Sequence, residues 1–351
     1  MNPNWQQFLT QQGATFDAGR VQHFGDATAE LNATAQGMVL CDLSQFGTLL
    51  ASGEDAQSFL QNMLSSDINE VEANHAQISS LSSPKGRMLA TMLIWRNGDG
   101  YLLQLPRALC EPMRKKLSMY VLRAKVKISD TSDEIVSFGL SGENAQTILG
   151  RQFGELPQRP FGFTDTGQAG VLKFSETRFQ ISTVAQYAPT LWQLLVQHAQ
   201  PVGSVCWDWL NIRAGIPVIL PQTQEQFVPQ MANLELIGGV NFKKGCYPGQ
   251  EIVARMQYLG KLKRRMYLAH INTSEVPQPG DEVFSAEMEG QASGMIANVS
   301  PAPGGGYDAL AVMQISSRES QTVHWKSPQG EALQFLPPPY PLPNGHGECH
   351  P

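Results

Sequence analysis

One short segment of the chain brings together residue types that could do chemistry. It reads Phe242-Lys243-Lys244-Gly245-Cys246-Tyr247-Pro248-Gly249-Gln250-Glu251-Ile252-Val253-Ala254-Arg255. Cys246 is flanked by glycines and a proline, which favour turns, so we expect its thiol to lie near the surface. Lys243 and Lys244 are close in sequence, and nearby cations favour the nucleophilic thiolate form of a cysteine. The segment therefore predicts an accessible, reactive cysteine.

A buried structural cysteine is the alternative interpretation, because cysteines outside disulfides are among the most buried residue types. The turn-forming and basic neighbours of Cys246 favour the functional interpretation. The other cysteines are scattered and form no C-x-x-C pair; they are Cys41, Cys110, Cys206 and Cys349. For these we expect structural roles, and we expect no disulfide framework.

Two passages of similar sequence predict repeated strand–turn–helix units. Residues 46–51 lead into Ser52-Gly53-Glu54-Asp55, and residues 135–140 lead into Ser141-Gly142-Glu143-Asn144. In each passage an apolar run precedes a glycine-containing turn, and residues with helical character follow. Asp55 or Asn144 could cap the helix. The match indicates two related α+β halves, although a single short match can also arise by chance.

The remaining pattern mixes strands with helices. Residues 88–95 and 101–105 predict a β-hairpin with its turn at Asn97-Gly98-Asp99-Gly100. Because strands and helices do not alternate strictly, an α+β fold is favoured over a doubly wound one. A Pro- and Gly-rich boundary lies near residues 272–281, and the short β-like runs beyond it predict a small antiparallel barrel or sandwich.

The composition indicates an ordered globular protein, since 42% of its 351 residues are hydrophobic and 16% are charged. The net charge of −6 argues against a general nucleic-acid binder. The N-terminus lacks a cationic start followed by an apolar run, and no stretch approaches the roughly 18 apolar residues that span a bilayer. We therefore expect a cytoplasmic protein that has no membrane partner.

Basic residues are concentrated around Cys246. Seven of the chain's 25 basic residues fall within positions 243–265: Lys243, Lys244, Arg255, Lys261, Lys263, Arg264 and Arg265. Such a run is usually a solvated face, and the alternative is a docking surface for RNA or an acidic protein. Near the C-terminus, His346, Cys349 and His350 lack a second ligand pair at fixed spacing, so we expect a tail without a metal site.

The segment Lys244-Gly245-Cys246-Tyr247-Pro248-Gly249-Gln250-Glu251 resembles the K-G-C-Y-x-G-Q-E signature of the YgfZ family. Other passages agree with the family in order and spacing: residues 84–87, 211–219, 226–230, 233–234, 238–240, 243–244 and 339–342. The likeness covers roughly residues 38 to 342. An eight-residue signature in matching context is a highly specific motif.

The resemblance implies a three-lobed, GcvT-like body around a central folate channel, followed by a small C-terminal β-barrel. Residues 1–260 would form the body, with lobes at about 40–134 and 135–260; residues 261–336 would form the barrel, and 337–351 an extended tail. It also implies a non-enzymatic role in supporting iron–sulfur enzymes, including a radical-SAM enzyme that thiomethylates tRNA, with the signature cysteine required. The basic segment would serve these client enzymes, and any tRNA contact would be indirect or weak.

The resemblance further implies two aromatic contacts to tetrahydrofolate or a one-carbon folate. The family places tryptophans there, and this chain has Phe46 and Trp207. A pterin or aminobenzoate ring stacks well on either side chain. A core position is the alternative for Trp207, because Trp209 lies two residues away and would share its side of a strand.

The departures from the related aminomethyltransferases are equally informative. Those enzymes carry an essential carboxylate where this chain has Ala90 or Thr91, and a pterin-binding glutamate where it has Met231. Because these acids are missing, we expect no catalytic residue and no aminomethyl transfer. A folate-dependent one-carbon transferase remains the alternative function. An RNA-binding protein is a third, which the acidic net charge disfavours.

Overall fold

The computed structural model describes residues 1–258, 260–320 and 322–343. Its described helices are α1 (Pro3–Gln11), α2 (Ala27–Gln36), α3 (Ala56–Gln61), α4 (Arg107–Val121), α5 (Ala145–Phe153), α6 (Ala188–Leu195), α7 (Ser204–Arg213), α8 (Gln250–Tyr258) and α9 (Ile315–Ser320). Short 3-10 turns lie at Ile68–Glu70, Pro221–Thr223, Pro229–Ala232, Leu234–Ile237 and Ala286–Met288. His346, Cys349 and His350 lie outside the described residues.

The described strands begin with β1 (Thr15–Asp17), β2 (Arg20–His23), β3 (Val39–Asp42), β4 (Phe46–Ser52), β5 (Gln77–Ser82), β6 (Met88–Asn97), β7 (Gly100–Pro106), β8 (Lys127–Asp130), β9 (Ile135–Ser141) and β10 (Phe163–Asp165). They continue with β11 (Gly170–Ser175), β12 (Arg178–Val184), β13 (Gln200–Val202), β14 (Arg264–Ile271), β15 (Glu282–Ser285), β16 (Ala292–Pro301), β17 (Tyr307–Gln314), β18 (Val323–Trp325) and β19 (Leu333–Phe335). Helices and strands are mixed along the chain, so the predicted α+β class is confirmed.

The chain divides into two compact units, each assembled from several segments. The first contains Met1–Gln61, Ile68–Gln77 and Met92–Trp207, and the second contains Asn62–Asp67, Ile78–Thr91 and Asp208–Pro351. The domain bounds that the resemblance implies stay a prediction. Across the described residues, every helix is too short or too polar to span a lipid bilayer.

The first unit contains a six-stranded sheet in the order β10-β11-β12-β9-β3-β13. Neighbouring strands are antiparallel except for β13 and β3, which are parallel. Three buried aromatic rings lie at the centre of its core: the ring of Trp192 is 5.6 Å from that of Trp5 and 5.9 Å from that of Phe138. Burial of such large apolar side chains is the main stabilising contribution to this unit.

Both predicted strand–turn–helix units are present, as β4 followed by α3 and as β9 followed by α5. The capping expectation for Asn144 is wrong, because Asn144 stands at the N-cap of α5 but its side chain makes no capping hydrogen bond. The carboxylate of Asp55 accepts from the backbone N–H of Lys125 at 2.8 Å. A polar residue at the right position therefore predicts the helix start, but not the partner of its side chain.

The predicted hairpin is confirmed in β6 and β7. Asn97 pairs with Gly100, which leaves a two-residue turn of Gly98 and Asp99, a combination that hairpin turns favour. The hairpin belongs to a five-stranded sheet in the order β5-β6-β7-β4-β8. The buried face of α4 comprises Leu109, Cys110, Met113 and Leu117, at the spacing of an amphipathic helix.

The second unit contains a six-stranded antiparallel sheet in the order β18-β15-β16-β17-β14-β19. Its two end strands approach each other, because His324 of β18 forms a bridge with Ala332 just before β19. The sheet is therefore nearly closed. Its interior is filled by side chains such as Ile271, Val283 and Ile296. This is the small C-terminal barrel that the sequence predicts, as closure removes exposed strand edges.

Candidate functional site

Cys246 lies in the second unit, on the loop between the 3-10 turn Leu234–Ile237 and α8, and its side chain is exposed. The exposure expected from its turn-forming neighbours is therefore observed. The other described cysteines, Cys41, Cys110 and Cys206, are buried. Cys246 is the described cysteine whose thiol faces solvent.

Lys244 anchors this loop from inside the protein. Its side chain is only 9% exposed, and its Nζ donates to the carbonyls of Leu64 and Ser66, each at 2.7 Å. The ammonium also lies 5.4 Å from the ring centre of Tyr247, which is buried. Burial lowers the pKa of Lys244 to about 8. The expectation that Lys244 activates the thiol is not supported, since its ammonium is held by main-chain carbonyls.

Two amide side chains hold the backbone just before Cys246. The Oδ1 of Asn241 accepts the N–H groups of Lys243 at 2.8 Å and Lys244 at 3.1 Å. The Nε2 of Gln250 donates to the carbonyls of Lys244 at 3.2 Å and Gly245 at 3.4 Å. The sequence analysis did not single out Asn241, although asparagine often bonds to the backbone two residues ahead of it. The loop is thus held by side chains at both ends.

The predicted turn at residues 84–87 packs directly against the cysteine loop. Gly86 and Gly249 both have positive φ, +70° and +81°. A Cβ placed on Gly249 would lie 2.5 Å from the Cα of Gly86 and 2.5 Å from the carbonyl oxygen of Ser83. Any side chain at Gly249 would therefore meet backbone that cannot move aside. This contact explains why the turn and the signature each need a glycine.

A network of buried serines supports the residues that receive Lys244. The Oγ of Ser65 donates to the carbonyl of Gly239 at 2.7 Å. It also accepts from the backbone N–H and the hydroxyl of Ser80, both at 2.9 Å. The sequence analysis missed this network. The sequence signal for this network is the concentration of serines in β5, a strand in which every residue is buried.

The basic segment does not form one continuous charged face. Arg265 is buried and donates to Asn233 at 2.9 Å and Glu235 at 3.0 Å. Arg265 and Lys244 therefore both make hydrogen bonds inside the protein. The exposed cations of the segment are Lys243, Arg255, Lys261 and Lys263, while Arg264 is half-buried. The segment thus presents four exposed cations, which is fewer than the sequence count suggests.

The positions of the missing transferase acids are filled by buried or half-buried side chains. Ala90 is fully buried in β6. The hydroxyl of Thr91 donates to the carbonyl of Pro217 at 3.1 Å and accepts from the N–H of Ile219 at 3.0 Å. Met231 is half-buried in the 3-10 turn Pro229–Ala232. Thr91 thus has a structural use, which links its strand to residues 217–219.

The two predicted folate contacts lie in the first unit. Phe46 begins β4 and is half-buried. Trp207 lies on α7 rather than on a strand, which corrects the earlier assumption about its geometry. Residues two apart on a helix point in different directions, so Trp207 and Trp209 do not share a side.

The indole of Trp207 is enclosed in this structure. It is 2% exposed, and the guanidinium of Arg178 lies 4.2 Å from its ring centre. Gly139 also approaches the ring, since a Cβ there would lie 2.1 Å from Trp207 Cζ3. Phe46 therefore fits the role of an aromatic platform, whereas Trp207 offers no open face in this arrangement. The role of Trp207 in folate binding stays a prediction.

Comparison with known proteins defines the class of this fold. The family model for the GCVT N-terminal domain matches residues 5–244. The structure is similar to that of the glycine cleavage system aminomethyltransferase T from Bartonella henselae, with a TM-score of 0.80 over 97% of both chains and 17% sequence identity. The fold is therefore GcvT-like.

Curated relatives then identify the family. The chain is 33% identical over 248 residues to the tRNA-modifying protein YgfZ of Shigella boydii serotype 4, covering 70% of this chain and 76% of that protein. It is 30% identical over 309 residues to the tRNA-modifying protein YgfZ of Escherichia coli O6:H1, covering 87% and 94%. The chain belongs to the YgfZ family of the GcvT-like superfamily.

The first prediction concerns the anchor of the cysteine loop. Replacing Lys244 by Met leaves the carbonyls of Leu64 and Ser66 buried without their donor. We expect Lys244→Met to lower the free energy of unfolding by about 1–3 kcal/mol in urea denaturation. Lys243→Met is the matched control, because Lys243 is exposed, and it should change stability by less than about 0.5 kcal/mol. Equal stability of the two variants would contradict the anchoring role.

The same pair of proteins also gives a pH signature. Burial lowers the pKa of Lys244 to about 8 in the folded chain. A lysine in the unfolded chain titrates near ~10.4, so the unfolded chain binds more protons between these two pH values. The stability of the wild type relative to Lys244→Met should therefore rise as the pH increases through this window. A flat difference would show that the ammonium is not buried.

Proposed function

We propose that this chain is a folate-binding protein that supports iron–sulfur enzymes, including enzymes that thiomethylate tRNA, and that it acts through Cys246. Membership of the YgfZ family supports this role, because the relatives at 30–33% identity are named tRNA-modifying proteins. The observation that carries the proposal is the exposed thiol of Cys246 on a loop that is otherwise fixed by buried contacts.

The geometry suits Cys246 to contact a partner molecule. A thiolate is both a strong nucleophile and a soft metal ligand, whereas an unactivated serine hydroxyl is a much weaker nucleophile and is not a soft ligand. The backbone beside Cys246 is held by Asn241 and Gln250, so little ordering is needed when the sulfur meets a partner. Lys243 is exposed next to this loop and is free to approach an anionic group on that partner.

The surface around the loop favours an acidic client protein. Lys243, Arg255, Lys261 and Lys263 supply exposed positive charge. Two exposed apolar side chains of α8 accompany them, Ile252 at 40% and Tyr258 at 65% exposure. Aromatic residues and arginine are enriched in protein interfaces, while complementary charge raises the rate of encounter. We therefore assign the client enzymes to this face, and we expect tRNA contact to be indirect or weak.

The folate part of the proposal rests on the GcvT-like fold and on the half-buried ring of Phe46. Tetrahydrofolate or a one-carbon folate would supply a pterin or aminobenzoate ring for stacking. The one-carbon folate would also supply a one-carbon unit. Phe46 would orient that ring through its aromatic face. Trp207 would contribute only where the guanidinium of Arg178 leaves its indole face.

The central test concerns Cys246. Because its side chain is exposed, Cys246→Ser should melt like the wild type, with a stability change below about 0.5 kcal/mol. It should still fail to restore tRNA thiomethylation and iron–sulfur enzyme activity in a deletion strain that wild type rescues. Val276→Ser, at an exposed position of the second unit outside this loop, serves as the control for altered surface polarity and should rescue like the wild type. Full rescue by Cys246→Ser would show that the thiol is dispensable.

The folate prediction is tested with the purified protein. Tetrahydrofolate should quench tryptophan fluorescence, and Phe46→Leu should weaken binding by about 0.5–1.5 kcal/mol, the usual contribution of ring stacking. Phe335→Leu, a half-buried aromatic position in the second unit, is the matched control and should leave binding unchanged. Absence of quenching at millimolar ligand would refute folate binding.

A folate-dependent aminomethyl transferase is the competing function, and the likeness to the fold of an aminomethyltransferase favours testing it directly. Purified protein given tetrahydrofolate and an aminomethyl donor should form no methylene-tetrahydrofolate. The reason is that Ala90 and Thr91 provide no carboxylate, and the Thr91 hydroxyl is engaged by residues 217 and 219. Steady turnover in this assay, retained in Cys246→Ser, would establish the enzyme instead.

A further inference from the structure

The first unit presents an exposed apolar tip at the end of α4. We define the α4 tip as Met119, Tyr120 and Leu122, whose side chains are 76%, 42% and 89% exposed. The rest of the helix is normally amphipathic, with its apolar residues buried up to Leu117. Three large apolar side chains within four positions therefore face water together. Grouped exposure of this kind marks an interaction surface, whereas single exposed side chains do not.

The backbone at Leu122 adds to this observation. Its φ is +45° and its ψ is −102°, a conformation in which glycine is the usual residue. A leucine is disfavoured there because its Cβ crowds the backbone. It is also almost fully exposed, so packing in the folded chain does not compensate for that conformation. The exposure is explained if the leucine side chain enters an apolar medium outside the protein.

Several cations lie close to the tip in sequence. Lys115 and Lys116 lie one helical turn before Met119 and Tyr120, on the same part of the helix surface. Between residues 111 and 127 the cations are Arg114, Lys115, Lys116, Arg123, Lys125 and Lys127. Glu111 pairs with Arg114 and Lys115, Glu54 pairs with Lys125, and the charge of Asp130 acts on Arg114. The six cations thus outnumber these three carboxylates, in a chain whose net charge is −6.

We propose that the α4 tip is a docking site for an anionic lipid surface. The three tip side chains would enter the interface, while the lysines and arginines around them meet phosphate headgroups. Tyrosine suits the boundary because its ring is apolar and its hydroxyl is polar. RNA would use the cations and Tyr120 but leave the most exposed residue, Leu122, without a role. A bilayer needs no matching pocket, so it accepts a protruding aliphatic tip that a protein could take only in a preformed groove.

The test uses the full-length chain and sedimentation with lipid vesicles. Vesicles containing phosphatidylglycerol should bind the protein, and pure phosphatidylcholine vesicles should bind it weakly. Raising the salt concentration should release it, because headgroup contacts are screened. Leu122→Asn should reduce partitioning roughly 10-fold, since it removes the most exposed apolar side chain of the tip. Asparagine has a Cβ just as leucine does and the position is exposed, so this variant should melt like the wild type.

Two further variants separate the sources of binding. Val276→Asn is the matched control, because Val276 is 57% exposed in the second unit, and it should leave partitioning unchanged. Lys116→Gln combined with Arg123→Gln should weaken binding to anionic vesicles and flatten its dependence on salt. Absence of binding to anionic vesicles at low salt would overturn the proposal. Wild-type partitioning by the folded Leu122→Asn variant would overturn it as well.

Discussion

The display of Cys246 depends on one buried cation. An ammonium group loses much of its hydration when it leaves water, and it is tolerated only where hydrogen bonds replace that hydration. The carbonyls of Leu64 and Ser66 provide them for Lys244, and Ser65 between them is fixed by its own buried hydroxyl network. The Lys244 side chain and the two carbonyls that it contacts are therefore both held in place. The thiol of Cys246, two residues after Lys244, is therefore carried by a backbone that has few alternative conformations.

A steric constraint on the other side of the thiol completes this arrangement. Gly249 must lie against Gly86, so the loop cannot slide along the turn. Most of the signature can then be assigned to structure: Lys244 anchors, Tyr247 is buried beside the ammonium, and Gln250 holds two carbonyls. The side chains of Cys246 and Glu251 are exposed, and these structural contacts do not account for them. Residues such as Cys246 and Glu251, whose identity the fold does not explain, are the ones to examine for function.

Local features were predictable from the sequence, and long-range ones were not. The hairpin of β6 and β7 follows from two apolar, strand-like runs that are joined by a short glycine-containing turn. The role of Lys244 was misjudged because its acceptors lie 180 and 178 residues away, which no local pattern reveals. Arg265 was counted as surface charge for the same reason, since it pairs with Glu235 thirty positions earlier. The enclosure of Trp207 by Arg178 is likewise a tertiary contact.

Within the second unit, the hydroxyl of Thr91 and the thiol of Cys246 are used in opposite ways. Thr91 stands where the related transferases need an acid, and both hydrogen-bonding capacities of its hydroxyl are engaged by Pro217 and Ile219. A group that is fully engaged in this way cannot also exchange protons with a substrate. Cys246 shows the opposite arrangement, because its backbone is constrained while its sulfur is exposed. That contrast favours a protein that contacts partners through a thiol over one that transfers an aminomethyl group.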